Sequence, residues 1–210
     1  MLTIKNFAKS YSGIYAIGVP EMQLSAGVYW IKGQNGSGKT TFFKSLAGIL
    51  PHQGDIHFDD HTSLKNNPIA FRRRVNYSEA EPLYPGFLTA KDLIHFIGKT
   101  KGSSRHQQDR LVKQFGIDLF YTKPCETYSS GMLKKLSLAL AFLGSPQLII
   151  LDEPLITLDE QARTVLFTLI NQTLSDRSVI FLISSHQLIE NPSIRINKTY
   201  SIQNKEIVLV

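Results

Sequence analysis

A glycine-rich segment near the start of the chain has the residue types that hold a chain of phosphates. Residues 33–40 read Gly-Gln-Asn-Gly-Ser-Gly-Lys-Thr and match the pattern G-x-x-x-x-G-K-[ST] at every position. Glycines allow a tight turn, so successive backbone N–H groups and the start of the following helix face one anion. Lys39 adds a positive charge for β- and γ-phosphates, and the Thr40 hydroxyl suits a bridging Mg²⁺. The segment therefore predicts a site for an anion of several charges.

Asp152 and Glu153 form a second candidate element, because they directly follow a run of four apolar residues, 148–151. Ligand sites of open α/β sheets gather at the carboxyl ends of strands. Asp152 at such an end suits the metal ion, and Glu153 suits polarisation of a water for attack on the γ-phosphate. Alone, such a pair is as often a solvated strand end. Its combination with the glycine-rich segment favours the catalytic interpretation.

The elements that must position these residues alternate between strand and helix patterns. Two continuously apolar runs, 148–151 and 179–183, predict strands buried on both faces, and a helical apolar stripe lies between them in residues 160–174. This order favours an α/β fold with a mostly parallel central sheet. Residues 90–99 and 105–115 predict two helices with no strand between them, which indicates a helical insertion. Further strands are predicted at 2–7, 27–31 and 75–77, a helix at 40–50, and a terminal hairpin at 199–203 and 206–210.

The composition is typical of a globular protein, with 210 residues of which 42% are hydrophobic and a mean hydropathy of -0.08. The longest unbroken apolar run, 138–143, has six residues, whereas a membrane-spanning helix needs about 20. The first residues also lack the pattern of a secretory leader. We therefore expect a cytosolic chain without a span of its own. The single cysteine, Cys125, excludes an intramolecular disulfide and a cysteine metal cluster.

The charge balance is basic, with 23 Lys and Arg against 17 Asp and Glu, a net charge of +6. This surplus favours an anionic partner such as nucleic acid, acidic lipid headgroups or a phosphorylated ligand. The densest cluster is the arginine triplet at 72–74, which is interpreted as a solvated helix face rather than a nucleic-acid contact.

The order of motifs along the chain resembles that of the ATP-binding cassette (ABC) ATPases. Residues 128–136 read Tyr-Ser-Ser-Gly-Met-Leu-Lys-Lys-Leu, stand in the position of the family's signature and open a helix. Leu158 and Asp159 are similar to the end of the D-loop, His186 to the switch histidine, and Tyr11 to the aromatic residue that stacks on adenine. The resemblance covers nearly the whole chain. Each minor motif is weak, but their joint order is specific.

The resemblance implies both a fold and a set of site residues. The fold is that of a P-loop NTPase, one domain over residues 1–210 with an N-terminal antiparallel β portion and a helical subdomain inserted at about 80–145. ATP and Mg²⁺ are the implied cofactors, with Glu153 and His186 as catalytic residues and Thr40 and Asp152 as metal ligands. The implied nucleotide contacts are Tyr11, Gly33, Asn35, Gly36, Ser37, Gly38, Lys39, Thr40, Thr41, Ser129 and Gly131.

Two segments depart from the family's pattern. The signature has Ser130 in place of its first glycine and Met132 in place of its glutamine, a form that is similar to the one in type-2 ABC exporters. In the Q-loop, Ala80 stands at the expected spacing, with Glu79 and Glu81 beside it. All three residues therefore remain candidates for the Q-loop contact with magnesium and the permease.

The resemblance implies that the chain hydrolyses ATP to ADP and phosphate and powers transport, in the export direction, through a separate transmembrane permease. Two copies, or this chain and a close paralogue, would bind two ATP molecules head to tail. Ser129 and the N–H of Gly131 would then face the γ-phosphate held by the opposite subunit. The permease implies a peripheral location on the inner face of the cell membrane. Residues 83–88 are equally compatible with a groove for the permease and with core packing.

Two other functions compete with this interpretation. A soluble ABC ATPase that acts on nucleic acid or ribosomes is the alternative. Such proteins generally carry two cassettes or a long coiled-coil insertion, and this sequence has neither, which disfavours nucleic acid as the partner. A P-loop phosphotransferase is the third hypothesis. The signature helix and His186 disfavour it, because a kinase needs an acceptor site and a lid.

Overall fold

A nine-stranded sheet forms the centre of the described part of the chain, residues 1–185 and 194–210, in this computed structural model. Across the sheet the strand order is β4-β1-β2-β9-β8-β3-β7-β6-β5. The strands β3, β7, β6 and β5 pair in parallel, and β1 pairs antiparallel with β2 and β4. The predicted α/β fold, with a parallel core and an antiparallel N-terminal portion, is confirmed. The strands are β1 (Leu2–Tyr11), β2 (Ile14–Leu24), β3 (Gly27–Lys32), β4 (Gln53–Phe58), β5 (Val75–Ser78), β6 (Leu148–Leu151), β7 (Ile180–Ser185), β8 (Ile196–Gln203) and β9 (Glu206–Leu209).

The strand β6 shows why the central strands are continuously apolar. Leu148 and Ile150 pack in the apolar cluster on one face of the sheet, and Ile149 and Leu151 pack in the cluster on the other face. Successive side chains of a strand point to opposite faces. A strand with packed layers on both sides therefore has no solvent face, and its sequence does not alternate between apolar and polar residues.

Helices cover both faces of the sheet. The predicted helix at 40–50 is shorter in the structure and ends at Leu46. It ends there because Gly48 adopts a left-handed conformation (φ +74°) and the N–H of Ile49 bonds back to the carbonyl of Lys44 at 2.8 Å. The helices are α1 (Lys39–Leu46), α2 (Pro68–Arg73), α3 (Ala90–Lys101), α4 (Arg105–Gln114), α5 (Ser130–Ala141) and α6 (Glu160–Asp176), with 3-10 turns at Ile117–Leu119 and Cys125–Thr127.

The strands β2 and β4 are absent from the sequence-based predictions. Gly18 and Pro20 interrupt the apolar pattern of β2, and both residue types are depleted in strands. Pairing with β1 nevertheless makes both segments strands. Val19 of β2 pairs with Phe7, and Ile56 of β4 pairs with Ile4. Strand pairing, within a hairpin for β2 and over a long distance in the chain for β4, thus overrides the local pattern here.

The predicted helical segment lies between β5 and β6 in the chain and contains α3, α4 and α5. The side chain of Thr89 accepts a hydrogen bond from the N–H of Asp92 and caps α3, and Ser104 caps α4 in the same way. The boundaries of a helical subdomain at about 80–145 stay a prediction. Within the described residues, every helix is too short or too polar to cross a membrane.

Two of the three clustered arginines are engaged within the protein. Arg72 donates to the carbonyl of Gly48 at 3.0 Å, and Arg74 contacts Asp60 at 2.6 Å. The hydrogen bond from Arg74 lowers the pKa of Asp60 to about 2. These contacts tie α2 to neighbouring loops, so the arginine cluster has a structural use in the fold.

Candidate active site

The glycine-rich loop joins β3 to α1 and has a backbone that only glycine adopts easily at two positions. Gly36 and Gly38 have φ values of +78° and +106°, in the region that side chains with a Cβ atom rarely occupy. A Cβ atom at Gly33 would lie 2.5 Å from the Ser37 hydroxyl oxygen. The helix α1 begins after Gly38 with no side-chain cap and no acidic residue in its first turn. This arrangement suits an anion at the start of the helix.

Lys39 is buried and reaches back over this loop. Its Nζ atom donates to the carbonyl oxygens of Gly33 at 2.7 Å and Gln34 at 3.1 Å. The same atom lies 3.6 Å from Oε1 of Glu153. The loop cation and the catalytic carboxylate predicted from the sequence are therefore neighbours, although 114 residues separate them in the chain.

Asp152 is fully buried at the end of β6 and is held by three hydroxyl groups. Thr40 Oγ1 donates to Oδ2 at 2.6 Å, and the Tyr77 hydroxyl donates to the same oxygen at 3.2 Å. The Ser184 hydroxyl donates to Oδ1. Burial, together with the negative charge of Asp152, raises the pKa of Tyr77 well above its ordinary value. The phenol therefore stays protonated at all moderate pH values and keeps its hydrogen bond to Asp152.

The Thr40 hydroxyl and the Asp152 carboxylate could hold a magnesium ion. They are adjacent oxygen donors, which Mg²⁺ prefers, and Mg²⁺ is usually bound by one or two carboxylates together with substrate phosphates and waters. Across residues 1–185 and 194–210, no group of three or more His, Cys, Asp or Glu side chains could hold a metal ion. The donor set therefore fits a metal that is bound together with a phosphate ligand.

Glu153 has an unusual backbone for a non-glycine residue, with φ +44°. Such a conformation costs of order 1–3 kcal/mol and persists where the surrounding structure enforces it. The N–H of Glu153 donates to the Ser184 hydroxyl at 2.9 Å, and the side chain is almost fully buried. In this conformation the Glu153 carboxylate lies 3.6 Å from the Lys39 ammonium.

The glycine-rich loop, Thr40 and Glu153 line a cavity of about 360 Å³. Asp152 is not among the lining residues, but its carboxylate accepts a hydrogen bond from Thr40, which is. The described lining does not include Ser129 or Gly131 of the signature. The lining residues are Asn35, Gly36, Ser37, Gly38, Lys39, Thr40, Thr41, Ala80, Glu81, Glu153 and Ile156.

The predicted adenine-stacking residue, Tyr11, lies beside the glycine-rich loop. Its hydroxyl is 3.5 Å from Oγ1 of Thr41, and its side chain is 46% exposed. The Lys9 ammonium sits 4.7 Å from the centre of the ring. An aromatic side chain that is partly exposed at the edge of the loop could stack against a planar ligand.

The signature forms the start of α5. The Ser129 hydroxyl caps the helix by accepting from the N–H of Met132 at 3.2 Å, and Ser129 itself is exposed. A Cβ atom at Gly131 would lie 3.0 Å from the carbonyl oxygen of Thr157. Glycine at 131 thus permits close approach of the segment that precedes α6.

The D-loop-like residue Asp159 caps α6. Its carboxylate accepts from the N–H of Ala162 at 2.7 Å and contacts Lys135 at 2.6 Å. The hydrogen bond from Lys135 lowers the pKa of Asp159. A second link between α5 and the segment after β6 is therefore present.

The three Q-loop candidates take different positions. The carboxylate of Glu79 pairs with Lys44 at 3.2 Å, whereas Ala80 and Glu81 line the cavity. The carbonyl oxygens of Glu79 and Ala80 both accept from the ammonium of Lys134.

Sequence-based reasoning missed Tyr77, Ser184 and Lys134, which contact the segment around Asp152. Tyr77 and Ser184 are the penultimate residues of β5 and β7, which flank β6 in the sheet, and this placement near strand ends is a signal in the sequence. Burial lowers the pKa of Lys134 to about 8, with the nearby carboxylates of Asp152, Glu153 and Glu79 acting in the opposite direction. The predicted His186 lies outside the described residues.

The glycine-rich loop joins the parallel strand β3 to a helix, and the acidic residues follow β6, a parallel strand of the same sheet. This combination defines the class of P-loop NTPase folds. The family model for ABC transporters matches residues 21–156. The chain belongs to the ABC transporter family.

Individual relatives agree with this assignment. The chain is 32% identical over 192 residues to the lantibiotic transport ATP-binding protein SrtF of Streptococcus pyogenes, covering 90% of this chain and 82% of that protein. It is 28% identical over 221 residues to ATP-binding cassette sub-family A member 9 of Homo sapiens, covering 98% of this chain but 13% of that protein. The chain thus spans a small part of that human relative. The chain also superposes on a solved ATP-binding cassette with a TM-score of 0.83 at 17% identity, covering 99% of this chain and 96% of that one. That structure is a dimer in a post-hydrolysis state, bound to ADP and phosphate.

Proposed function

We propose that this chain binds ATP together with Mg²⁺ and hydrolyses it to ADP and phosphate, as the ATP-binding subunit of a transporter. The observation that carries the proposal is the convergence of the two sequence motifs on one cavity. Thr40 Oγ1 lies 2.6 Å from the Asp152 carboxylate, and Lys39 Nζ lies 3.6 Å from the Glu153 carboxylate. Phosphate-binding, metal-binding and base functions thus meet within one site.

Each residue has a distinct task in the proposed reaction. The backbone N–H groups of the loop and the Lys39 ammonium bind the β- and γ-phosphates. Thr40 and Asp152 would hold the metal ion, which supplies positive charge to the phosphate oxygens when bound. Glu153 orients a water molecule and accepts its proton as the water oxygen bonds to the γ-phosphorus and the bond to the β-phosphate oxygen breaks. Tyr77 and Ser184 hold Asp152 in position through hydrogen bonds to its carboxylate.

The remaining site residues are assigned by position. Tyr11 would stack on the adenine ring, because its exposed face lies beside Thr41 at the edge of the loop. Glu81 is the better candidate for the Q-loop carboxylate, since it lines the cavity while Glu79 pairs with Lys44. His186 is proposed to contact the γ-phosphate on the resemblance alone.

A second copy of the chain, or a paralogue, would complete the site. Ser129 and Gly131 stand at the exposed start of α5 and are not among the residues that line the cavity of their own chain. The Ser129 hydroxyl accepts from the N–H of Met132 but can still donate its own hydrogen, and the unpaired amides at a helix start bind negative groups. In a head-to-tail dimer they would face the γ-phosphate held by the partner. The solved cassette with the same fold is itself dimeric.

The proposed membrane partner is a permease, and the proposed direction of transport is export. One relative is named for lantibiotic transport. The segment 83–88 supports a docking role, because Leu83 and Phe87 are 87% and 79% exposed instead of packed in the core. The chain would then lie at the inner face of the membrane, where its basic surplus meets anionic lipids.

The Lys39→Ala substitution tests the proposal through nucleotide affinity. Loss of a buried ammonium that binds phosphate oxygens is expected to weaken ATP binding by roughly 10- to 100-fold, because hydrogen bonds to charged groups contribute about 1.5–3 kcal/mol. Binding is measured by titration with a fluorescent ATP analogue, and hydrolysis by phosphate release. Lys65→Ala removes an exposed lysine and serves as the control. Equal affinities of wild type and Lys39→Ala would contradict the assignment of the phosphate site.

A further inference from the structure

A buried lysine on the signature helix contacts both segments that carry the carboxylates of the site. Lys134 lies on α5 and is fully buried. Its Nζ atom donates to the carbonyl oxygens of Glu79 at 2.7 Å, Asp152 at 2.9 Å and Ala80 at 3.2 Å. An ammonium group has three N–H donors, and three acceptors surround this one.

The chemistry of this contact needs an explanation beyond packing. Burying an ammonium group costs free energy, and direct pairing with a carboxylate normally offsets that cost. The three hydrogen bonds of Lys134 go instead to backbone carbonyls. A methionine would fill a similar volume without this cost. The charge is therefore best explained by the backbone groups that it holds.

One of these groups is the peptide unit that joins Asp152 to Glu153. Its carbonyl oxygen accepts from Lys134 at 2.9 Å, and its N–H, on Glu153, donates to the Ser184 hydroxyl at 2.9 Å. Both polar ends of this peptide plane are thus fixed by side chains from other elements. The φ angle of Glu153 describes rotation directly after this plane, and it has the strained value of +44°.

We propose that Lys134 is a positioning residue for Glu153. By fixing the peptide plane between Asp152 and Glu153, it holds Glu153 in the left-handed conformation that directs its carboxylate into the cavity. The same ammonium fixes the carbonyls after β5, so the start of α5, the Q-loop segment and the catalytic carboxylate keep one relative arrangement. Without the ammonium, the peptide plane rotates and Glu153 relaxes to an ordinary backbone conformation. This inference rests on the proposed ATP hydrolysis.

The Lys134→Met substitution tests the inference with Lys113→Met as a matched control, because Lys113 is an exposed lysine on α4. ATP affinity and stoichiometry are measured by titration calorimetry, and the turnover number is expressed per bound ATP. For Lys134→Met we expect wild-type stoichiometry, an affinity within about threefold of wild type and a turnover number at least about tenfold lower. For Lys113→Met we expect wild-type values of all three.

A double substitution separates positioning from general structural damage. If Lys134 acts through the Glu153 carboxylate, Lys134→Met causes less than about a twofold further loss of turnover in a Glu153→Gln background, measured under single-turnover conditions. Damage to the fold would instead multiply the two losses. A multiplied loss, or turnover of Lys134→Met within about twofold of wild type, would overturn the inference.

The remaining outcomes are also decisive. If Lys134→Met does not fold, Lys134→Gln replaces it. Its amide is one atom shorter and has two donors for three carbonyls, so we expect a smaller loss of turnover, of at least about threefold, which must again disappear in the Glu153→Gln background. Reduced ATP stoichiometry in both variants would make Lys134 a residue of folding or binding and would overturn the positioning role. A wild-type chain that binds ATP but does not hydrolyse it overturns the proposed function and this inference together. A wild type that hydrolyses ATP alongside an unaffected Lys134→Met overturns this inference only.

Discussion

The Glu153→Gln substitution isolates the charge of the proposed catalytic carboxylate. Glutamine has the same shape and the same backbone preference as glutamate, so the cost of the conformation at φ +44° is unchanged. The N–H of residue 153 still donates to Ser184. The change is the loss of one negative charge 3.6 Å from Nζ of Lys39.

The expected magnitudes follow from this geometry. At an effective dielectric constant of about 20, two unit charges at this separation attract each other by roughly 4–5 kcal/mol before desolvation is subtracted. The substitution frees Lys39 for phosphate oxygens and removes repulsion between the carboxylate and the triphosphate. We therefore expect the Kd for ATP to stay equal or to fall by up to about tenfold. Because an amide does not accept the proton of water, kcat should fall by about 10²–10⁴.

The assay combines three measurements on the same preparation: ATP titration, phosphate release, and size-exclusion chromatography with ATP and Mg²⁺. The variant should bind ATP, release little phosphate and elute as a dimer. Glu160→Gln, which changes an exposed acid at the start of α6, should behave as wild type. A kcat within about tenfold of wild type would refute the assignment of Glu153 as the base. A variant that stays monomeric with ATP, while the wild type hydrolyses it, would refute the proposed ATP-bound dimer.

Three further substitutions probe other parts of the structure. Asp159→Ala removes the cap on Ala162 and the contact with Lys135, and it should lower the free energy of unfolding in urea by about 1–2 kcal/mol; an unchanged unfolding midpoint would contradict the capping role. Burial lowers the pKa of Lys101 from 10.5 to about 8, so between these values the unfolded chain binds more protons than the folded one. Between about pH 7.5 and 9.5, the free energy of unfolding of wild type should therefore rise by about 1 kcal/mol relative to that of Lys101→Met. This is less than the full value for one proton, because the side chain is partly exposed. A difference between the two proteins that does not change with pH would argue against this burial cost. Tyr11→Ala should weaken ATP binding roughly tenfold but leave tripolyphosphate binding unchanged, and an equal loss for both ligands would exclude stacking on the base.

The local motifs were predictable from the sequence because each depends on neighbouring residues. The turn at Gly36 and Gly38 needs left-handed backbone conformations, and Lys39 and Thr40 follow directly at the start of the helix. The run of apolar residues before Asp152 marks a strand buried on both faces. Helix caps such as Thr89 also carry a local signal.

Other features depended on contacts across the chain. The strands β2 and β4 were not predicted because pairing with β1, rather than a regular apolar pattern, makes them strands. Glu79 and Glu81 were equivalent Q-loop candidates for the same reason, because the contact of Glu79 with Lys44 and the position of Glu81 at the cavity depend on the fold. Local periodicity contains no information about either contact.

The sequence by itself determined that this protein has a phosphate-binding loop, a strand that ends in Asp152 and Glu153, and a signature helix. The tertiary structure decided how these parts act on one another. Ser184 is 32 residues from Asp152 in the chain, and Lys134 is 55 residues from Glu79, yet both meet at one edge of the sheet. The physical reason is that parallel strands end at the same edge and α5 packs against them, which brings a buried ammonium to the peptide unit before Glu153.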